Sequence, residues 1–283
     1  QEDIAEELAR VIGYDVIPTT VISTPIPKWV PNPMRDLRET VRDSLVASGM
    51  QETISYPLTT VEAQELVSPP SELPAPIPVL NPLSAERSVM RTTLRSSVLE
   101  TLLRNVRTWR GPISIFEIGR VYLEQGIDLP LEREMVVGAL SGPRTEDTWL
   151  EETGNLDFFD AKGIVKGVLD TINLKGLYAD FNDKTFASGR CASIAIGGIY
   201  VGVLGELSQA VLKMSEANLS RITMFEINID KLFESMGHDS TKLTNYKPVW
   251  RYPESTHDLA IVVDDSIPGA AAVAVAERNK LVV

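Results

Sequence analysis

The chain has 283 residues, 43% of them hydrophobic and 23% charged, and its 39 acidic and 27 basic residues give a formal net charge of −12. This is the composition of a globular protein without an apolar run long enough to span a membrane, and so acidic a surface excludes a general nucleic-acid binder. The single Cys191 excludes an internal disulfide framework and fits a reducing compartment, while His238 and His257 give no zinc-site pattern.

The start of the chain is predicted to be a helix followed by an extended connector. Its apolar residues recur at helical spacing until Gly13 ends the helix. These residues are Ile4, Leu8, Val11 and Ile12. Five prolines between Pro18 and Pro33 fix φ and remove backbone donors, which favours a domain boundary. Because the chain begins at Gln1 inside the helix, we expect it to be a piece of a longer protein.

The middle of the chain alternates between helices and strands. Apolar steps of three and four predict helices at 33–48 and from Leu94 to Val106, separated by a proline-rich loop at 69–78. Gly197-Gly198 indicates a hairpin turn, and the run 113–123 is apolar on both faces, as in a central strand. The remaining predicted elements are strands at 53–56, 134–140, 191–196, 200–204 and 222–229, and helices at 160–172 and after 229.

From about Lys242 the pattern changes. A loop at 246–248, a strand at 258–263 and an Ala/Val-rich helix are predicted there. A lone strand and helix cannot close a core, so this tail is expected to open a further domain. The predicted division is 1–28, 29–241 and 242–283.

Four segments together carry a resemblance to a known family. They are EDIAEELARVIGYDVIP at 2–18, NPLSAERSVMRTTL at 81–94 with FEIGR at 116–120, DFFDAKG at 157–163 with GGIYVGVLGEL at 197–207, and RYP at 251–253 with DLAIVV at 258–263. In order and spacing the chain resembles the β subunit of bacterial phenylalanyl-tRNA synthetase. The resemblance implies an α+β fold with a mainly antiparallel sheet and flanking helices, a non-catalytic copy of the class II synthetase core. It also implies a ferredoxin-like, anticodon-binding domain beginning at 242–283.

The resemblance further implies a supporting role in a ligase. Class II enzymes hold the ATP phosphates with an arginine in a Phe-Arg-x-Glu strand and another in a glycine-rich helix start, where fixed cations match developing charge. The strand here reads Ser114-Ile115-Phe116-Glu117, and no glycine-rich motif follows 224–228. The chain alone is therefore expected to be inactive, with no catalytic or cofactor-binding residue. It would hold a catalytic α subunit in a cytoplasmic α2β2 complex that uses ATP and Mg²⁺ to attach phenylalanine to tRNA(Phe).

Three carboxylates near the start of the chain are the predicted metal ligands. Asp3, Glu6 and Glu7 lie at i, i+3 and i+4, which places them on one helical face. Oxygen ligands of this kind suit Mg²⁺, although acidic residues near a helix start also favour the helix dipole. The resemblance assigns magnesium to these positions.

Two further sets of charged residues leave alternatives open. Glu117 is either a ligand-binding carboxylate or the partner of Arg91 or Arg120, since a lone buried charge is costly. The first core helix carries Arg35, Arg38 and Arg42. In class II folds this helix contributes to the subunit interface, and the alternative is an ordinary solvated face.

The densest basic cluster admits a tRNA backbone contact or partner carboxylates. It comprises Arg91, Arg95, Arg104, Arg107 and Arg110. Two other functions therefore remain alternatives for the whole chain. One is an RNA-binding module that contacts tRNA, and the other is a class II-like domain with its own small-molecule site.

Overall fold

The computed structural model describes residues 1–67, 75–126, 129–145, 154–215, 221–237, 253 and 255–278. They belong to two compact units, Gln1–Leu243 and Thr244–Val283. The described helices are α1 (Glu2–Ile12), α2 (Pro33–Ala47), α3 (Val61–Leu66), α4 (Arg95–Val106), α5 (Phe158–Thr171), α6 (Gln209–Met214), α7 (Ile229–Ser235) and α8 (Gly269–Glu277). The described strands are β1 (Gln51–Glu52), β2 (Leu58–Thr59), β3 (Val89–Met90), β4 (Ile113–Leu123), β5 (Leu131–Ser141), β6 (Leu177–Asp180), β7 (Phe186–Ile196), β8 (Ile199–Leu207) and β9 (Thr223–Asn228).

A seven-stranded sheet forms the centre of the first unit, in the order β1-β4-β5-β9-β8-β7-β6. Every neighbouring pair is antiparallel except β1 and β4, which run parallel with Gln51 opposite Ile115. A separate two-stranded sheet joins β2 to β3. The predicted α+β class with a mainly antiparallel sheet is confirmed.

Two hydrophobic clusters lie on the sheet. Successive side chains of a strand point to opposite faces, so Phe116 joins one cluster and Ile115 the other. The cluster around Phe116 includes residues of α2, α5 and α7, and the cluster around Ile115 includes residues of α4 and α6. Helices therefore cover parts of both faces of the central strands.

Local signals explain where the main helices begin. In α2 the Asn32 side chain accepts a hydrogen bond from the amide of Arg35, and Pro33 occupies the first turn, where its missing N–H has no intrahelical partner anyway. In α5 Asp157 and Asp160 exchange the reciprocal bonds of a capping box. The strand prediction 113–123 is confirmed to the residue, and the turn at Gly197-Gly198 joins β7 to β8 as predicted.

Two predicted strands are wrong. Residues 53–56 form no strand, because the ladder with β4 ends after the Thr53 amide bonds to the Phe116 carbonyl, and the Ser55 hydroxyl then turns to the Glu117 carboxylate. Residues 258–263 are exposed and form no strand, since the described part of the second unit supplies no partner for a ladder. The predicted loop at 246–248, His238, Arg251, Tyr252 and part of the proline-rich loop lie outside the described residues.

The sequence did not predict several short elements, namely α3, β2, β3, β6 and α6.

The amphipathic α1 is present as predicted, but none of its residues is buried. In the part of the chain that the structure describes, no helix combines the length and the apolar character needed to cross a membrane.

Candidate functional site

The strand position where the resemblance expects a phosphate-binding arginine is buried. Ile115 in β4 is 4% exposed and packs in the cluster that contains the α4 residues Val98 and Leu99. An apolar side chain under a helix offers neither a positive charge nor access to a phosphate. This position of the sheet therefore lacks the chemistry of nucleotide activation.

Glu117, two residues further along β4, is held in a buried ion pair. Its Oε1 lies 2.7 Å from the Arg91 Nη1, and its Oε2 accepts a hydrogen bond from the Ser55 hydroxyl at 2.7 Å. The Arg91 guanidinium also donates to the Arg120 carbonyl at 2.8 Å. The prediction of a structural pair with Arg91 is confirmed, whereas the Arg120 side chain pairs with the exposed Glu132. Both oxygens of Glu117 are thus engaged by partners in the chain.

Arg95 is the centre of a second buried charge network. As the first residue of α4 it is 1% exposed, and it contacts Asp183 and Glu226 at 2.8 Å each. Burial alone would lower the pKa of the Arg95 guanidinium, but the charges of Glu226 and Asp183 and their hydrogen bonds outweigh burial, so the pKa is raised. The hydroxyls of Thr93 and Thr185 complete the network at 3.0 and 3.1 Å. Arg95 therefore ties α4 to β9 and to the turn before β7.

The other charged side chains of the basic cluster lie apart from these two networks. Arg104 pairs with Glu100 on the exposed side of α4, and Arg107 and Arg110 are exposed. Carboxylate partners are thus confirmed for Arg91, Arg95 and Arg104. The cluster does not form one continuous basic patch.

Two of the three arginines of α2 pair with carboxylates, and the third is exposed. Arg38 bonds to Glu134 at 3.0 Å and Arg42 to Glu52 at 2.9 Å, so both connect α2 to the sheet. Arg35 is exposed at the start of the helix. Only Arg35 of the three points its charge to solvent without a carboxylate partner in the described chain.

An exposed apolar surface lies in the segments that precede β2 and β3. It consists of Ile54, Tyr56, Leu80 and Leu83, which are 92%, 65%, 100% and 104% exposed. The two segments that carry them adjoin, because β2 pairs with β3 and the Val79 amide bonds to the Ser88 carbonyl at 2.8 Å. The Arg87 guanidinium covers the Tyr56 ring at 3.9 Å. Sequence reasoning missed this surface, since an apolar residue in a loop carries no periodic signal.

The predicted metal ligands lie on α1. Asp3, Glu6 and Glu7 are exposed, and Glu7 is paired with Arg10, whose Nε lies 3.0 Å from its carboxylate. Among the residues that the structure describes, no three His, Cys, Asp or Glu side chains gather to hold a metal ion. These three carboxylates therefore do not fit a complete metal site by themselves.

A family model and curated relatives match this chain. The model described as phenylalanyl tRNA synthetase beta chain CLM domain matches residues 17–229. A phenylalanine–tRNA ligase beta subunit from Dehalococcoides mccartyi strain 195 is 35% identical over 94% of the chain and 32% of its own length. One from Halalkalibacterium halodurans is 32% identical over 99% of the chain and 34% of its own length. The chain thus spans about a third of the length of these relatives.

Solved structures match the fold. Pyrrolysyl-tRNA synthetase from Desulfitobacterium hafniense aligns with a TM-score of 0.52 and 18% identity, covering 71% of this chain and 68% of the other. A second structure of that protein gives a TM-score of 0.53 at 17% identity. At this identity the likeness shows the fold alone.

Proposed function

Because this chain belongs to the family of phenylalanyl-tRNA synthetase β chains, we propose that it supports a catalytic α subunit and does not activate phenylalanine itself. The observation that carries this proposal is the buried Ile115 at the position where a catalytic core would need a cation. Electrostatic stabilisation of charge in the transition state is a large part of such catalysis, so its absence favours a supporting role. The carboxylates Glu117 and Glu226 are both engaged by arginines of the same chain.

We place the contact with the α subunit on the exposed apolar surface and the adjoining α2. Exposed apolar residues gathered in neighbouring segments favour a protein interface. Association would remove Ile54, Leu80 and Leu83 from water, and each buried side chain of this size contributes roughly 1.5–3 kcal/mol. Arg35 would supply a charge at the rim.

The proposal is tested by size exclusion with light scattering of the chain alone and mixed with a catalytic α subunit. We expect a co-eluting complex, and we expect the double variant Leu80→Asp, Leu83→Asp to weaken it by at least about tenfold, because two charges would enter an apolar contact. The matched control is Leu129→Asp, Leu177→Asp, which changes two leucines that are 72% and 68% exposed elsewhere. Equal association by both variants would contradict the placement of the contact, and absence of any complex would contradict the supporting role.

Membership of the family supports a proposal for the activity of the assembled complex. We propose that it is an α2β2 ligase that attaches phenylalanine to tRNA(Phe) with ATP, in the cytoplasm, where a chain with a lone cysteine needs no disulfide. ATP is expected to act at the α subunit. We propose the division 1–28, 29–241 and 242–283 for the end of a helical domain with its linker, the class II-like core, and the start of an anticodon-binding domain.

A partial role in Mg²⁺ binding is proposed for Asp3, Glu6 and Glu7. Their oxygens suit Mg²⁺, which takes one or two carboxylates and keeps several waters, but a third partner group would be needed from outside this set. We expect calorimetric titration of the chain alone with Mg²⁺ to show weak binding that Asp3→Asn, Glu6→Gln reduces. The control Asp36→Asn, Asp43→Asn on α2 should leave it unchanged. Tight binding that survives the first variant would contradict this assignment.

A further inference from the structure

A cavity of about 740 Å³ opens at one end of the central sheet, on the face that carries Arg95. The antiparallel register brings the lining strands together there, with Val121 opposite Arg133, Met135 opposite Asn228 and Gly202 opposite Ile227. Its size lies in the range of sites that hold small organic ligands. None of the contacts that support an α subunit in the proposed function uses this cavity.

One part of the cavity lining is aromatic and another part is apolar. The rings of Phe181 and Tyr200 have their centroids 5.8 Å apart at an interplanar angle of 33°. The apolar lining residues are Val121, Leu123, Met135 and Val201. Aromatic faces and edges at such separations favour a further ring as a contact partner. The aromatic part of the lining is therefore suited to a planar ligand body.

The cavity lining also carries positive charge that no carboxylate of the described residues neutralises. Arg133 and Lys231 are half-buried lining residues. Neither makes an ion pair within the described chain, and the Lys231 Nζ lies 5.8 Å from the centroid of the Tyr200 ring. The third lining cation, Arg95, is already engaged by Asp183 and Glu226. Two cations thus remain for an anion in a protein whose net charge is −12.

A neutral hydroxyl adds a directional contact. A tyrosine phenol is ordinarily protonated at physiological pH, and partial burial raises the pKa of Tyr200 further, to about 12, so its hydroxyl can donate a hydrogen bond. The Glu226 carboxylate, held by Arg95 and Thr93, is the lining group that disfavours an anion placed deep in the cavity. An anionic group is therefore expected at the side of Arg133 and Lys231, with its ring toward Phe181 and Tyr200.

We propose that this cavity binds a ring-bearing organic anion of metabolite size, with Arg133 and Lys231 holding its carboxylate or phosphate and the Phe181–Tyr200 pair contacting its ring. The chemistry shared by both anions is charge-assisted hydrogen bonding, which is stronger than a neutral contact. This site is separate from the ATP-dependent reaction, which we have proposed to take place at the α subunit.

The test is a titration of the 283-residue chain followed by NMR, with 1-naphthyl phosphate and 1-naphthylacetate as probes. The neutral 1-naphthaleneethanol lacks the anion, and inorganic phosphate and acetate lack the ring. We expect at least one ring-bearing anion to bind about tenfold more tightly than these comparators, because both halves of the site contribute. Binding of the phosphate probe alone, or of the carboxylate probe alone, would identify which anion the site takes.

Variants distinguish binding of the anion in this cavity from nonspecific electrostatic binding to the protein surface. The double variant Arg133→Gln, Lys231→Gln should weaken binding of the ring-bearing anion about tenfold or more. The control variant Arg107→Gln, Arg110→Gln removes two exposed charges elsewhere and should change this binding less than about twofold. Magnetisation transfer from the ring of Phe181 or Tyr200 to the probe in the unmodified chain provides a readout that does not depend on a folded variant. Failure of both ring-bearing anions to bind, equal binding of the neutral ring, or no transfer from these aromatic side chains would overturn the proposal.

Discussion

The Arg95→Met substitution is expected to lower the free energy of unfolding by about 3–5 kcal/mol, because it removes one partner of a buried charge network and leaves the others unpaired. Asp183 and Glu226 are 2% and 8% exposed, so both carboxylates have lost most of their contact with water and depend on the guanidinium for charge compensation. Methionine keeps much of the side-chain volume, which limits the contribution of a cavity. The loss should appear as a lower midpoint of urea unfolding followed by circular dichroism.

Two companion variants show whether charge is the cause. Arg104→Met removes the exposed arginine of the Glu100 pair on the same helix and should change the unfolding free energy by no more than about 0.5 kcal/mol. The triple variant Arg95→Met, Asp183→Asn, Glu226→Gln should recover a large part of the loss, since no unpaired charge remains buried. If Arg95→Met and Arg104→Met destabilise the chain equally, the network does not have the role described above.

The Gly202→Ala substitution is expected to destabilise the fold by about 3 kcal/mol, at the upper end of overpacking effects. A Cβ at this position would lie 2.2 Å from the Glu226 carbonyl oxygen and 3.0 Å from the Ile227 Cα. These are backbone atoms of the neighbouring β9, so β8 and β9 must separate to accept the methyl group. Thermal unfolding followed by calorimetry would measure the loss.

The same change at Gly163 is the matched control and should have the opposite sign. Gly163 lies inside α5, and a Cβ there would meet nothing within 4 Å. Alanine in an exposed helix interior is favoured over glycine by roughly 0.5–1 kcal/mol, because it loses less backbone entropy on folding. A loss of stability in both variants would indicate that the close approach of β8 and β9 is not the cause.

Periodicity predicted the long elements of this fold and failed for the short ones. α2 was found from apolar spacing because it is long enough to show several repeats of the helical period, and β4 was found because its long run is apolar on both faces. β1 has only two residues, and its pairing with β4 depends on a contact with a segment far along the chain. The strand predicted at 258–263 was wrong because strand propensity does not form a ladder without a partner.

Of the two buried charge networks, the sequence predicted one and missed the other. The pair of Arg91 with Glu117 was one of the predicted alternatives, since a buried carboxylate requires a nearby cation. The Arg95 network was not predicted, because its partners are 88 and 131 residues away and no local spacing relates them. The cavity was also beyond sequence reasoning, since it exists only where the ends of four strands meet.

The parallel pairing of β1 with β4 also gives the chain an order of folding. β4–β5 and β7–β8 are hairpins whose strands lie close in sequence, whereas Gln51 pairs with Ile115 only across a long segment that contains β2, α3, β3 and α4. Pairing residues that are far apart in sequence costs more chain entropy than forming a hairpin. We therefore expect the hairpins to form first and β1 with α2 to pack against the sheet last. Ile54 and Tyr56 follow β1 directly. The part of the proposed α-subunit surface that Ile54 and Tyr56 form would then be completed last, and we expect a partially folded chain to bind the α subunit more weakly.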